Sequence, residues 1–141
     1  MKIELTYSEI EKYLKKHQGY VVDLLYVDSR TVRVKTPVEW RVIIRHTLDV
    51  DVSVALDKIV GNDLHLSYSF YDHKLEFAAK NAFRFGGSMI NRKFPMIEKK
   101  DGNNLIVHLN KINELRDVLN KVKLTDIGFN QSCIIAIIEI Q

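Results

Sequence analysis

Residues 48–70 contain the feature that most constrains the fold: two runs of strict alternation between apolar and polar residues, separated by Gly61-Asn62. In the first run the apolar residues are Leu48, Val50, Val52, Val54 and Leu56. In the second run they are Leu64, Leu66, Tyr68 and Phe70. A period of two is typical of antiparallel strands that bury one face and leave the other face in water. The sequence therefore predicts a hairpin of two half-buried strands.

The short turn of this hairpin constrains how its strands pair. If Leu56 pairs with Leu64, the apolar residues of both strands share one face. A turn made only of Gly61-Asn62 pairs Val60 with Asp63 instead and puts the faces out of register. Because a slip of one residue moves every side chain to the opposite face, we predict a longer loop or a β-bulge between Asp57 and Asp63.

The next segment, from about Lys74 to Asn91, has the spacing of an amphipathic helix. Its apolar stripe consists of Leu75, Ala78, Ala79, Ala82, Phe83, Gly86, Met89 and Ile90. Small side chains in such a stripe allow a helix to lie close to a sheet. We therefore predict a long helix that packs on the alternating strands.

Shorter elements precede and follow this unit. Thr6 and Glu9 form a capping-box pattern that opens a helix through about His17, which Gly19 ends. Trp40 to Leu56 is predicted as one long strand, with a bulge near Ile43-Ile44 where its alternation slips. A second short helix covers Ile112 to Lys121. The other predicted strands are Lys2–Leu5, Val21–Val27, Thr31–Thr36, Leu105–Leu109, Lys123–Phe129 and Ile134–Ile140. The second and third of these form a hairpin that pairs Tyr26 with Val32, Leu24 with Val34 and Val22 with Thr36, and the last two form a closing hairpin.

Together these elements predict an α+β fold in one domain over residues 1–141. A curved, mostly antiparallel sheet of about seven or eight strands is expected to wrap around or pack on the long helix, with two shorter helices beside it.

Composition excludes several classes of protein. The formal net charge is only +3 and the basic residues are dispersed, so no nucleic-acid partner is expected. Cys133 is the single cysteine, so no intramolecular disulfide can form. The first residues lack the apolar core of a signal peptide, and no apolar run is long enough for a transmembrane segment. These features predict a cytoplasmic protein.

The sequence offers no catalytic constellation, and we expect a protein that is not an enzyme and uses no cofactor. His65 and His73, near Asp49, Asp51 or Asp72, are the exception, as a metal-binding or acid–base pair. Solvent-exposed polar residues on alternating strands explain the same pattern more simply, so neither a metal site nor catalytic residues are predicted.

The order of elements from Asp49 to Ser69, through the helix and on to Leu105–Phe129, resembles the tubular lipid-binding proteins. That superfamily includes the bactericidal permeability-increasing proteins and the synaptotagmin-like lipid-transfer domains. The resemblance implies a long helix wrapped by a curved sheet, with lipid in the groove between them.

Two functions remain open at this point. The first is non-enzymatic binding of a lipid or other apolar small molecule between sheet and helix, with a lining of Leu66, Tyr68, Phe77, Phe83 and Met89. The alternative is a structural or protein-interaction module with a packed core, which binds another protein chain through a free strand edge near Pro37.

Overall fold

The computed structural model describes residues 1–41, 45–71 and 95–141, which form mainly β-structure. The strands are β1 (Lys2–Thr6), β2 (Asp23–Asp28), β3 (Thr31–Arg41), β4 (Arg45–Val60), β5 (Asp63–Phe70), β6 (Ile97–Lys100), β7 (Asn104–His108), β8 (Val122–Phe129) and β9 (Cys133–Ile140). The α-helices are α1 (Tyr7–Tyr13) and α2 (Asn113–Leu119). A π-helical turn (Leu14–Gln18) extends α1, and a 3₁₀ turn (Leu109–Lys111) precedes α2.

The strands form two antiparallel sheets. The larger sheet has the order β2-β3-β4-β5-β7-β6, and the smaller one has the order β1-β9-β8. The prediction of antiparallel pairing is confirmed. The predicted α+β fold, with a single curved sheet around a long helix, is wrong for the described residues, where the two α-helices have seven residues each.

The division into two sheets follows from the neighbours of β9. This strand pairs with β1 along one edge and with β8 along the other, so it has no edge left for the larger sheet. Alternation shows which residues of a strand share a face, but it does not identify the neighbouring strand. The predicted helix between residues 74 and 91 lies outside the described residues.

The long strand predicted from Trp40 to Leu56 is also wrong. Arg41 pairs with Arg45, so the chain reverses between β3 and β4. A hairpin and a bulge both interrupt alternation, and the slip in the pattern marked a reversal of the chain. Residues 42–44 themselves lie outside the described residues. The ladder between β2 and β3 ends at the pair of Asp23 with Lys35. Pro37 lies beyond it, where the side of β3 that faces away from β4 has no partner among the described strands.

The predicted bulge near Asp57 is confirmed. The turn at Gly61-Asn62 is short, Val60 pairs with Asp63, and the register shifts between Leu56 and Lys58. The detailed pairing differs from the prediction, because Leu56 pairs with Leu66 and not with Leu64. The bulge at Asp57 restores the shared apolar face that the short turn alone would invert.

The core lies mainly on one face of the larger sheet. Val32, Leu56 and Tyr68 are buried on that face, in three neighbouring strands. Leu124 and Ile138 form a buried pair in the smaller sheet. None of the helices in the described ranges is long and apolar enough to span a membrane.

The turn between β2 and β3 joins the two sheets. The Arg30 guanidinium donates to Asp126 Oδ1 at 2.6 Å and to the Ile127 carbonyl at 2.7 Å, both on β8. The backbone adds one link between the sheets, because the Phe129 N–H of β8 donates to the Ser29 carbonyl at 2.9 Å. Within the larger sheet, the Leu56 N–H of β4 donates to the Arg30 carbonyl at 2.8 Å and holds the same turn in place.

Removal of the Arg30 side chain is therefore expected to loosen this junction. In Arg30→Ala we expect the Phe129 amide to exchange about fivefold faster with deuterium, since a half-exposed ion pair contributes about 1 kcal/mol at most. Hydrogen exchange followed by mass spectrometry or NMR measures this. The matched control is Arg33→Ala, which removes another Arg–Asp pair within the larger sheet and should leave the Phe129 amide unchanged. Equal exchange at Phe129 in both variants would contradict the role of Arg30.

Candidate functional site

The predicted ligand-lining residues are only partly described. Leu66 and Tyr68 both lie in β5 on the apolar face of the larger sheet. Tyr68 is 9% exposed and meets Phe70 edge to face, with ring centroids 5.7 Å apart. Phe77, Phe83 and Met89 lie outside the described residues, so convergence of the five remains a prediction.

The polar face of the same sheet carries His65 opposite Lys58. Asp51, one of its predicted partners, accepts both of its hydrogen bonds from the Arg33 guanidinium, with Nε to Oδ1 at 2.6 Å. This bond lowers the pKa of Asp51. His73 lies outside the described residues. Among the described residues, no group of three histidine, cysteine or carboxylate side chains is placed to hold a metal ion.

A cavity of about 290 Å³ lies at the junction of the sheets. Its lining consists of Arg30, Leu56, Asp57, Lys58, Ile59, Thr125 and Asp126. Two β-bulges contribute to it, at Asp57 in β4 and at Thr125 in β8. Bulges are frequent beside functional sites because they redirect side chains, which makes this cavity a candidate site.

Most polar groups of this cavity are already engaged by the protein. Asp126 pairs with Arg30 across the two sheets, and that hydrogen bond lowers the pKa of Asp126. Within the larger sheet the Ser67 hydroxyl donates to Asp57 at 3.1 Å, and within the smaller sheet the Thr125 hydroxyl donates to the Ile137 carbonyl at 3.0 Å. These contacts are structural and do not pair a nucleophile with a base.

A second polar cluster spans β5, β6 and β7. His108 Nδ1 lies 2.7 Å from Asp63 Oδ1, and Nε2 lies 2.8 Å from Glu98 Oε2. Lys100 Nζ lies 2.9 Å from the other oxygen of Glu98. The hydrogen bond to Asp63, then the one to Glu98, raises the pKa of His108 above its ordinary value, although burial opposes this. With both ring nitrogens engaged, His108 acts as a cross-strand link and not as a free base.

This link makes stability depend on pH in a defined direction. Because the folded-state pKa of His108 is raised, its stabilisation is complete below the ordinary value of 6.5 and is lost as pH rises through the raised value. We expect His108→Gln to be less stable than the wild type by about 1 kcal/mol at low pH and to approach it at high pH.

Chemical unfolding of both proteins from about pH 5 to about pH 9 measures the difference. His65→Gln, on the same polar face, is the matched control and should keep the wild-type profile. A deficit in His108→Gln that stays constant across this range would contradict the assignment.

Within the described residues, two strands at the edges of the sheets, β1 and β2, have backbone N–H and C=O groups that face away from their neighbouring strand and have no strand partner. In β2, the Leu24 N–H donates to Glu11 Oε1 of α1 at 2.9 Å, which places it on the side away from β3. Alternate residues of a strand face the same side, so the N–H and C=O of Tyr26 also point away from β3. The side chains of Leu25, Tyr26 and Val27 are 42%, 39% and 42% exposed.

In β1, the backbone of Met1 pairs with Ile138 of β9 in both directions, with N–O distances of 3.0 and 2.9 Å. The N–H and C=O groups of Lys2 and Glu4 therefore point away from β9. Every residue of β1 is exposed, and Ile3 and Leu5 are 42% and 46% exposed.

Sequence reasoning placed a free edge near Pro37 but missed the open edges of β1 and β2. A signal was present in β2, whose residues Asp-Leu-Leu-Tyr-Val-Asp include no lysine or proline, the residues that commonly protect an edge. The His108 cluster had no local signal, because it depends on the pairing of β5 with β7.

Comparison with known proteins adds no assignment: no family model, curated protein or solved structure matches the chain.

Proposed function

We propose that the protein is a non-enzymatic interaction module that binds an extended apolar segment of a partner protein by strand addition along β2. The observation that carries this proposal is the run of exposed apolar side chains, from Leu25 to Val27, on a strand at the edge of the larger sheet. Strand addition joins two chains through backbone hydrogen bonds, and side-chain contacts then select the sequence.

The outward-facing backbone of Tyr26 supplies the hydrogen bonds. On one side of Tyr26, the Leu24 N–H already donates to Glu11, and on the other side the strand is interrupted by the bulge before Asp28. The backbone that can accept a partner strand is therefore limited to the centre of β2. A partner strand would therefore align on Tyr26.

The side chains beside Tyr26 supply the selectivity. Leu25 lies on one face of the sheet and Tyr26 on the other, since neighbouring side chains alternate, and Val27 follows at the bulge, where the alternation is interrupted. Both faces of the edge are thus apolar at this point, which favours a partner with apolar residues on both faces. Asp23 and Asp28 flank the edge, so basic residues at the ends of the partner segment suit it best.

Substitution of Tyr26 by proline tests this proposal. Short random peptides displayed against the purified protein should yield apolar strands with basic ends. Their binding to Tyr26→Pro should be weaker by about tenfold or more, because proline removes the outward N–H. Fluorescence polarisation with the selected peptides measures the loss.

The matched control is Glu4→Pro, which removes an outward N–H from the edge of the smaller sheet and should leave peptide binding unchanged. Circular dichroism checks that both variants are folded. Selected peptides that bind Tyr26→Pro as well as the wild type would overturn the proposal, as would a selection that yields no binder.

Binding of a lipid or other apolar molecule is the second candidate, as the resemblance to tubular lipid-binding proteins implies. The continuous apolar face that carries Leu66 and Tyr68 favours it. Location in the cytoplasm remains a prediction for either candidate.

Mass spectrometry of an organic extract from the native protein, with a denatured control, tests this second candidate. Binding predicts an apolar molecule in stoichiometric amount that the denatured protein does not retain. Replacement of Leu66 by Ala is expected to reduce its amount severalfold. An extract without such a molecule would count against a tightly held ligand.

A further inference from the structure

We propose that the open edge of β1 pairs with β1 of a second copy of this chain, in one register, to form a two-fold symmetric dimer. This inference goes beyond the proposed function, because it uses a different strand, a different sheet and a different partner. It rests on the direction of the backbone groups of β1 and on the order of its charges.

The backbone restricts the possible registers first. Only Lys2, Glu4 and Thr6 direct their N–H and C=O groups away from β9, because Met1 is bonded to Ile138. An antiparallel partner must place its own outward-facing residues opposite these. Registers that oppose an outward-facing residue to an inward-facing one therefore form no ladder.

The charges then select one of the remaining registers. If Ile3 lies opposite Ile3 of the second copy, Lys2 lies opposite the other Glu4, and Glu4 lies opposite the other Lys2. A shift of two residues in either direction places Lys2 opposite itself or Glu4 opposite itself. Opposite charges directly across a pair of strands stabilise it, and like charges destabilise it.

The chosen register also suits the geometry of the pair. Lys2 and Glu4 lie on one face of the strand, where Lys2 Nζ and Glu4 Oε1 are 3.0 Å apart within one copy. In the dimer, Lys2 of each copy exchanges two backbone hydrogen bonds with Glu4 of the other copy. The two Ile3 residues face each other on the two-fold axis and form a pair without backbone hydrogen bonds, the kind of pair in which side chains are closest.

The apolar side chains explain why such a pair is favourable. Ile3 and Leu5 share the opposite face of β1 and are 42% and 46% exposed in one copy. A second β1 covers part of both and extends the three-stranded sheet across the axis. The contact is small, so we expect a dimer in reversible equilibrium with monomer, since contacts below about 1,200 Å² are typically weak.

Charge substitutions on β1 test the register by sedimentation velocity over a range of micromolar to millimolar concentrations. The wild type should sediment faster as concentration rises. Lys2→Glu places like charges across both outer pairs, and Glu4→Lys does the same with positive charge. Each variant is expected to dimerise about tenfold more weakly than the wild type.

The rescue experiments distinguish pairing from a general loss of structure. The double variant Lys2→Glu/Glu4→Lys reverses both charges and should regain dimerisation, and an equimolar mixture of the two single variants should form heterodimers. A wild type that remains monomeric at millimolar concentration would overturn the proposal. So would a wild-type dimer that both single variants retain, or one that neither rescue restores. The β2 proposal is separate, because Tyr26→Pro leaves the β1 edge unchanged and should still dimerise.

Discussion

The contacts of the turn between β2 and β3 with β8 join the two sheets. The strand edges that stay exposed depend on this junction. Arg30 reaches β8 through Asp126 and the Ile127 carbonyl, while its own carbonyl holds β4 through the Leu56 N–H. The ion pair is half exposed and contributes little by itself. Beside it, the hydrogen bond from the Phe129 N–H to the Ser29 carbonyl links the backbones of the two sheets, and a buried or partly buried amide without such a partner is costly.

Two of the bulges in the described strands lie at this junction. The bulge at Asp57 allows β4 and β5 to share an apolar face despite a short turn at Gly61, whose φ is 61°. The bulge at Thr125 lies in β8 between Leu124, which is buried, and Asp126, which pairs with Arg30. Since a bulge bends its strand and increases the local twist, we expect β4 and β8 to bend close to the contact between the sheets.

Local sequence was sufficient to predict most of the strands and several of their pairs, although β6 was not among the predicted strands. The pairing of Leu24 with Val34 and of Tyr26 with Val32 followed from alternation on either side of a short turn, and the structure confirms both, whereas β2 begins at Asp23 and the predicted pair of Val22 with Thr36 is not part of its ladder. The hairpin between β8 and β9 is confirmed in the same way. The cap at Thr6 is also confirmed, because its hydroxyl accepts from the Glu9 N–H at 3.1 Å.

Pairs between distant parts of the chain were beyond local sequence. Strand β1 pairs with β9 at the other end of the chain, and the alternation of apolar and polar residues in either strand does not indicate this partner. His108 meets Asp63 only because β5 and β7 are neighbours. The sequence therefore predicted which residues of β4 and β5 share the apolar face, but not which strands share a sheet. For the same reason it could not identify the edges that are left open.

The strand edges of the described residues differ in how they are protected, and this difference separates the two proposed contacts. At β6, Glu98 and Lys100 form an ion pair on the edge, and at β8 the turn at Ser29 and Arg30 occupies the outer backbone groups near Phe129. Charged side chains and covering segments are the usual means by which proteins prevent edge pairing. In β1 the charges have a different effect. Lys2 and Glu4 carry opposite charges two residues apart, so they are complementary to the same residues of a second copy in one register. In the centre of β2 there is no charge to set a register, so a partner must be selected by the shape of its apolar side chains around Tyr26.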